Sequence, residues 1–224
     1  MTFTRTLLAA ALVAVHGAAL LSPWLAPYDP TEQHRDASYV PPTRVHLVNP
    51  DGLWERPFVC ASTTVATPRI GVAEDCRARY PVRWFVATTE PPRPARPATS
   101  TRWRLFAVEP PGQLFLLGTD IYGRDQLSRL LVGARMSLLA ALLGTSLAVG
   151  LGMLTGMMAG YLGGTTETAL TGLSNLLQAV PVLYLLLAAR AAFPLTLGPA
   201  DVFLSVTALL GLVGWARPYR LIRA

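Results

Sequence analysis

Lysine is missing from this 224-residue chain: its nineteen strongly basic side chains are all arginine. That absence excludes a phosphate-cradling P-loop lysine, a Schiff-base lysine and a lysine general base, so any ATP-driven chemistry has to come from another chain. Charge is scarce as well: 14% of residues are charged and 52% hydrophobic, where soluble domains carry about 25% charge. With a mean hydropathy of +0.40, this composition indicates a membrane protein rather than an ordinary soluble one. The formal charge of +6 does not point to nucleic acid, because the arginines are scattered and no run interleaves with aromatics as a single-strand platform would. No Ser/His/Asp set, HExxH motif or pair of intramembrane carboxylates is visible, so an intramembrane enzyme has no support and no cofactor is implied. Cysteine is nearly absent: Cys60 and Cys76 are the only two. They form a candidate disulfide, while two thiols with the distant His46 and His34 lack the spacing of metal ligands.

What is abundant is apolar sequence, in four segments. Leu7–Ala26 holds 20 residues without a formal charge, enough to cross ~30 Å of hydrocarbon at ~1.5 Å per residue. A cleaved signal peptide is the rival, with Arg5 as its basic region, but the stretch is longer than a signal core and more spans follow. His16, halfway along, suits a packed or hydrogen-bonded histidine better than a proton relay. From Met136 to Thr166 no residue is charged, which predicts a span near 137–161. The uncharged run between Glu167 and Arg190 predicts a third near 173–193, and 200–217 a shorter fourth. Arg5 precedes the first span and Arg217, Arg220 and Arg223 follow the fourth, so the positive-inside rule places both chain ends in the cytoplasm, as an even span count also requires.

The expected fold is therefore an all-α polytopic membrane protein of about four transmembrane helices, with a small β-rich extracytoplasmic insertion between helices 1 and 2. The domains are an N-terminal transmembrane helix (1–26), the insertion (27–115), an interfacial amphipathic elbow (116–136) and a transmembrane core (137–224). Within the insertion, RVHLV (44–48), VRWFVAT (82–88), WRLFAV (103–108) and LFLLG (114–118) read as short strands bounded by turn formers. The Pro-rich EPPRPARPA (90–98) is a stiff loop or linker.

Charge and oil meet at LLGTDIYGRDQLSRLLVGARMSLL (116–139). Asp125 falls in the first turn of an expected helix, where a carboxylate suits the positive end of the helix dipole. Leu127, Leu130, Leu131, Ala134 and Leu138 recur at helical spacing, with Arg124, Ser128 and Arg135 on another face. Such a helix should lie along the outer membrane surface and bend into the second span; a plain solvated helix start is the alternative. In that span Ala140, Gly144, Ala148, Gly152, Gly156, Gly160 and Gly164 place a small residue at every fourth position. This spacing lets neighbouring backbones come close, unless it only reflects the general frequency of glycine in membrane helices.

Four motifs in order now carry a resemblance: GTDIYGRDQLSRLLVGARMSL, AGYLGG (159–164), AVPVLYLLLA (179–188) and WARPYRLIR (215–223). They resemble the C-type membrane subunit of dipeptide/oligopeptide ABC importers, a binding-protein-dependent inner-membrane component. The residues matching its first motif are Gly118, Thr119, Asp120, Gly123, Arg124, Asp125, Arg129, Gly133 and Arg135. The resemblance implies half of a solute pathway for peptides or similar solutes. The implied partners are a second, B-type permease subunit, two ATP-binding subunits, an extracytoplasmic solute-binding protein and the lipid bilayer of a bacterial inner membrane. This chain itself would perform no covalent chemistry. Candidate pathway residues are Asn175, Gln178, Pro181, Tyr184 and Arg190, with a kink expected at Pro181 because it removes one backbone donor. Arg190 fits either a snorkelling side chain or a partner for a peptide carboxylate. Arg217, Tyr219, Arg220 and Arg223 are a positive-inside anchor with an aromatic belt residue, and by resemblance the lead into the ATPase-coupling segment.

The pattern also departs from the family. Glu167 stands where an aspartate is usual, Leu170-Thr171 replaces a Met-Arg pair, and Asn175 replaces a second aspartate. The sequence ends at Arg223-Ala224, ahead of the family's cytoplasmic EAA coupling helix, which implies a fragment or a truncated product. The competing function class is a membrane-anchored extracytoplasmic binding or sensor module, in which 27–115 does the work.

Overall fold

The computed structural model describes residues 2–49, 52–65, 71–90, 100–194 and 196–223. Most of the Pro-rich stretch 90–98 lies outside these residues, as does the side chain of Arg190. The elements run in the order α1 (Thr2–Leu20), α2 (Ser22–Leu25), β1 (His46–Val48), β2 (Trp54–Val65), β3 (Gly71–Glu90), β4 (Ser100–Val108), α3 (Gln126–Leu162), α4 (Gly164–Ala179), α5 (Val182–Ala192), α6 (Pro199–Gly214) and α7 (Ala216–Arg223). Contacts divide the chain into two units, Met1–Arg135 and Met136–Ala224.

In the first unit the strands form one antiparallel meander in the order β1-β2-β3-β4. Val59, Val82 and Leu114 are buried on one side of it, with Tyr80, Phe106, Val108 and Leu116 packed around them. A second small core joins Ala37, Val40 and Phe115 to Tyr28. LFLLG, expected as a strand, is not one. Leu114 and Phe115 fill the two cores while their amides donate to side chains, the Tyr28 hydroxyl at 2.9 Å and Thr43 Oγ1 at 3.0 Å, instead of to a strand ladder. An apolar run of this length is explained equally by core burial in a loop, which periodicity alone cannot separate from a strand.

The expected all-α fold with four spans and a small β insertion is corrected on both counts. The sheet is a principal part of the first unit, with strands of 12 and 20 residues. Among the described residues two helical segments are long and apolar enough to cross a membrane, Gln126–Leu162 and Ala200–Arg223. The count is three if the bent pair Gly164–Ala179 and Val182–Ala189 is one span. The first expected span fails because its apolar helix is short, Thr4–Leu20. The chain turns at Leu21, and Pro23, which has no amide hydrogen, sits at the start of the one-turn α2. The even-count argument for two cytoplasmic ends falls with the number four. The third expected span is bent by 82°, at the Val180-Pro181 step where both residues adopt extended backbone.

The second span and the sequence before it share one helix. At ~1.5 Å per residue, the 37 residues of α3 extend about 55 Å, well beyond the ~30 Å of a hydrocarbon core. The surplus accommodates the polar first turns that carry Arg129 and Arg135, without the separate surface helix that the sequence suggested. Leu142 and Leu154 on the uncharged part are 65% and 59% exposed, a surface that lipid would cover.

Candidate functional site

In the second unit, the small-residue row of α3 is where other helices of the same chain come close. A methyl added to Gly152 would lie 2.5 Å from Pro218 Cβ and 3.0 Å from both the Trp215 carbonyl oxygen and the Tyr219 nitrogen. At Gly156 it would lie 3.0 Å from Ile222 Cβ, at Gly160 3.8 Å from the Arg223 oxygen, and at Gly144 3.6 Å from the Thr207 oxygen on α6. Because four residues overshoot one 3.6-residue turn, the row drifts around α3 and meets α6 through Gly144 and α7 through the other three. Gly164 opens α4.

Tyr219 sits at the centre of this packing, fully buried beside Ala159 and Trp215. Its hydroxyl hydrogen-bonds Thr171 Oγ1 at 2.9 Å. An aromatic belt residue would be at the surface; Tyr219 is instead a core residue of this unit. Around it α7 is tied to α4 by polar contacts. Arg223 donates to Thr171 Oγ1 at 2.6 Å and lies 3.4 Å from Glu167, and Arg220 donates to Asn175 Oδ1 at 2.5 Å. In the sequence Thr171 stood out only as half of the Leu170-Thr171 departure, and Ser174 was not singled out. Ser174 is fully buried and accepts from Gln178 Nε2 at 3.2 Å. The signal available for both was position: Thr171 lies one turn before Asn175 and Ser174 one turn before Gln178, on a helix that already carried polar candidates.

The break between α4 and α5 opens a cleft of about 890 Å³, lined by Gly144, Thr145, Gln178, Pro181 and Arg217 among apolar neighbours from α3 and α6. Of the candidate pathway residues, Gln178 and Pro181 meet here, joined by Arg217, the cleft's charged lining residue. Asn175 is not part of it, being engaged by Arg220, and Tyr184 is 70% exposed elsewhere on α5. Small residues, one amide and one guanidinium make a lining that could solvate a polar solute in an otherwise apolar unit.

In the first unit the GTDIYGRD segment folds into a tight polar knot. Asp120 is buried, and its Oδ1 accepts the amides of Tyr122 and Arg124, both at 2.9 Å. Its Oδ2 takes Arg124 Nε at 2.8 Å and Arg129 Nη1 at 2.6 Å. Burial alone would raise the pKa of this carboxyl; the Arg124 hydrogen bonds and charge outweigh it and hold the group below its ordinary value. Gly118 and Gly123 have φ of +74° and +71°, and a methyl on either would collide with a carbonyl, that of Val40 for Gly118 and of His34 for Gly123.

Asp125 lies one residue before α3 and caps it. Its Oδ2 accepts the Ser128 amide at 2.7 Å together with the Ser128 hydroxyl, which satisfies an orphan amide of the first turn. Ser128 Oγ in turn accepts the Tyr28 amide at 3.1 Å. Asp125 is fully buried, and desolvation pushes its pKa up despite the Ser128 hydrogen bonds. The Tyr28 hydroxyl is likewise pushed up to about 12 by burial. Thr119 completes the knot by accepting from the Val40 amide at 2.8 Å and donating to the Ala37 carbonyl. The motif's last two residues, Gly133 and Arg135, lie on α3, where Gly133 has no neighbour within 4 Å of an added methyl.

These motif positions can be set beside known proteins. No family model matches the chain. It is 29% identical over 124 residues to the oligopeptide transport system permease protein of Haemophilus influenzae, covering 55% of this chain and 38% of that protein. The chain resembles peptide-transport permeases. It is 25% identical over 191 residues to the dipeptide transport system permease protein of the same organism, covering 85% of this chain and 43% of the relative. To the probable D,D-dipeptide transport system permease protein of Escherichia coli it is 34% identical over 91 residues, 41% of this chain and 29% of the relative. The chain thus spans about two fifths of the length of the first two curated relatives.

Proposed function

We propose that this chain is permease sequence of an ATP-binding-cassette importer, contributing to one half of a membrane pathway for peptides or similar small solutes. The observation that carries this reading is the similarity to named peptide-transport permeases over most of the chain. The cleft supports it, because it brings Gln178 and Arg217 together in an otherwise apolar helical unit. In this reading the chain hydrolyses nothing itself. A second permease subunit closes the pathway, two ATP-binding subunits drive it, and an extracytoplasmic binding protein delivers the solute. The bilayer is a bacterial inner membrane.

Orientation follows from two features. The Cys60–Cys76 disulfide suits an oxidising, extracytoplasmic side for the sheet, and the arginines of α7 suit the cytoplasm. Between them the chain then crosses an odd number of times, so the bent α4–α5 pair is a crossing and not a re-entrant loop.

The test is co-purification in mild detergent of the full-length product with its genomic neighbours. The importer reading expects a second permease and ATP-binding subunits in the complex; a membrane-anchored sensor would bring down neither, and that result overturns the proposal.

A further inference from the structure

Three side chains far apart in sequence meet in the sheet of the first unit. His46 comes from β1, Cys60 from β2 and Cys76 from β3, and a ring nitrogen and the two sulfurs all lie within 4.8 Å of one another. Strand pairing explains the meeting. His46 is paired with Phe58 and stacks on its ring, with centroids 5.5 Å apart. Phe58 lies two positions from Cys60, hence on the same face of β2. On β3 the pairing passes from Cys60↔Arg79 to Ala61↔Asp75, which leaves residues 76–78 bulged out of the ladder. Cys76 therefore has more local freedom than a residue in a regular strand.

We propose that, when the Cys60–Cys76 disulfide is reduced, His46, Cys60 and Cys76 form a binding site for one d¹⁰ cation of the Zn²⁺ class, so that the sheet is clamped by either a covalent bridge or a metal. A tetrahedral zinc takes sulfur at ~2.3 Å and imidazole nitrogen at ~2.0–2.1 Å, which sets ligand atoms about 3.5–3.8 Å apart. With all three ligand atoms within 4.8 Å of one another, the imidazole has to approach by no more than about 1 Å and the sulfurs to part once their bond is open, movements that a side-chain adjustment and the bulge can absorb. Two thiolates and one imidazole favour such a soft to borderline ion over magnesium or calcium. The two thiolate charges neutralise Zn²⁺, which limits the desolvation cost at a half-buried place, and three protein ligands leave a fourth position for water.

The chemistry balances with a dithiol reductant. The protein disulfide takes up two electrons and two protons while the dithiol closes to its own disulfide, and the metal then displaces the two thiol protons as it binds.

The experiment uses the full chain in detergent, oxidised or reduced, with Co²⁺ as the spectroscopic probe. The reduced chain is expected to take up one equivalent, with the intense visible bands of tetrahedral cobalt and a thiolate-to-metal charge-transfer band, both abolished by Zn²⁺. The oxidised chain should show neither, and reduced His46→Ala should bind at least ten-fold more weakly with altered visible bands. Circular dichroism of reduced wild-type chain checks that the sheet persists without any substitution. The proposal is overturned if the reduced chain binds no stoichiometric cobalt, if its strand signal collapses on reduction, or if His46→Ala leaves affinity and spectrum unchanged.

Discussion

Two glycines on one helix provide a test in which the same substitution has opposite expected signs. Gly150 and Gly152 both lie within α3, but a methyl at Gly150 meets nothing within 4 Å, whereas at Gly152 it would sit 2.5 Å from Pro218 Cβ with two backbone atoms of α7 at 3.0 Å. Carbon atoms normally rest at about 3.5–4.0 Å, so α7 would have to withdraw from α3 by about 1 Å. It cannot do so freely, because Tyr219 and Arg223 hold it to Thr171. Overpacking of this kind costs about 1–3 kcal/mol, set against a gain of up to about 1 kcal/mol for Gly to Ala in a helix interior. Gly152→Ala should therefore be net destabilising by up to about 2 kcal/mol and Gly150→Ala neutral or stabilising by up to about 1 kcal/mol. Thermal or denaturant unfolding of the purified chain in one detergent, followed by Trp215 fluorescence in a background lacking the other tryptophans, measures both. If Gly152→Ala proves as stable as Gly150→Ala, the close approach of α7 to α3 is wrong, and the reasoning about the glycine row goes with it.

Further expectations concern the polar contacts. Tyr219→Phe keeps the ring packing but leaves Thr171 without its hydroxyl partner, at a cost of about 0.5–1.5 kcal/mol in the same unfolding assay. Asp125→Ala removes the cap of α3 and should cost about 1 kcal/mol, whereas Asp125→Asn, which can still cap, should cost less. Because the folded pKa of Asp125 is raised, its contribution is fully present below the unfolded value of about 4 and is lost as pH rises through the folded value. Stability measured against pH should accordingly lose that acid-favoured component in Asp125→Asn. Asp120 has the opposite sign: its pKa is lowered, so its contribution is present above about pH 4 and fades as pH falls through the folded value. Asp120→Asn should destabilise at neutral pH and converge with wild type in acid. Finally, reporter fusions at Gly112 and after Ala224 should read extracytoplasmic and cytoplasmic; a cytoplasmic signal at Gly112 refutes the orientation.

What could be read from the sequence depended on the range of the interaction. The apolar core after residue 135 was legible because an uncharged run states its solvent directly, and the break at Pro181 because proline removes a backbone donor. The GTDIYGRD knot was legible as charge against oil, but its wiring was not. Asp120 is the arginine partner, and Asp125, expected in the first turn, stands just outside α3 as its cap, a distinction of one residue that helix periodicity does not resolve. The span count failed where length and continuity diverge. Leu7–Ala26 has the composition of a span, yet the turn at Leu21 ends its helix, and α3 absorbs two expected elements in one.

The spatial partners of His46 and of the glycine row were out of reach for a different reason. His46 is 14 residues from Cys60 and 30 from Cys76 in sequence, and only the pairing of β1 to β2 to β3 converts those separations into one cluster. Linear ligand spacing is a sound criterion for a local loop site but says nothing when each ligand rides on a different strand. The small residues of α3 show the same asymmetry: the four-residue period announced that some backbone comes close, but not whose. In the structure Gly144, Gly152, Gly156 and Gly160 are approached by α6 and α7 of this chain, whereas Gly133 and Gly150 face open space. If a second permease subunit packs on α3 through a glycine surface, those two positions are where it has room to do so. Bulky substitution at Gly133 or Gly150 should then break the complex while leaving the isolated chain folded. Substitution at Gly152 or Gly156 should damage the chain itself, and a complex that tolerates leucine at both Gly133 and Gly150 would remove the glycine surfaces of α3 from the subunit contact.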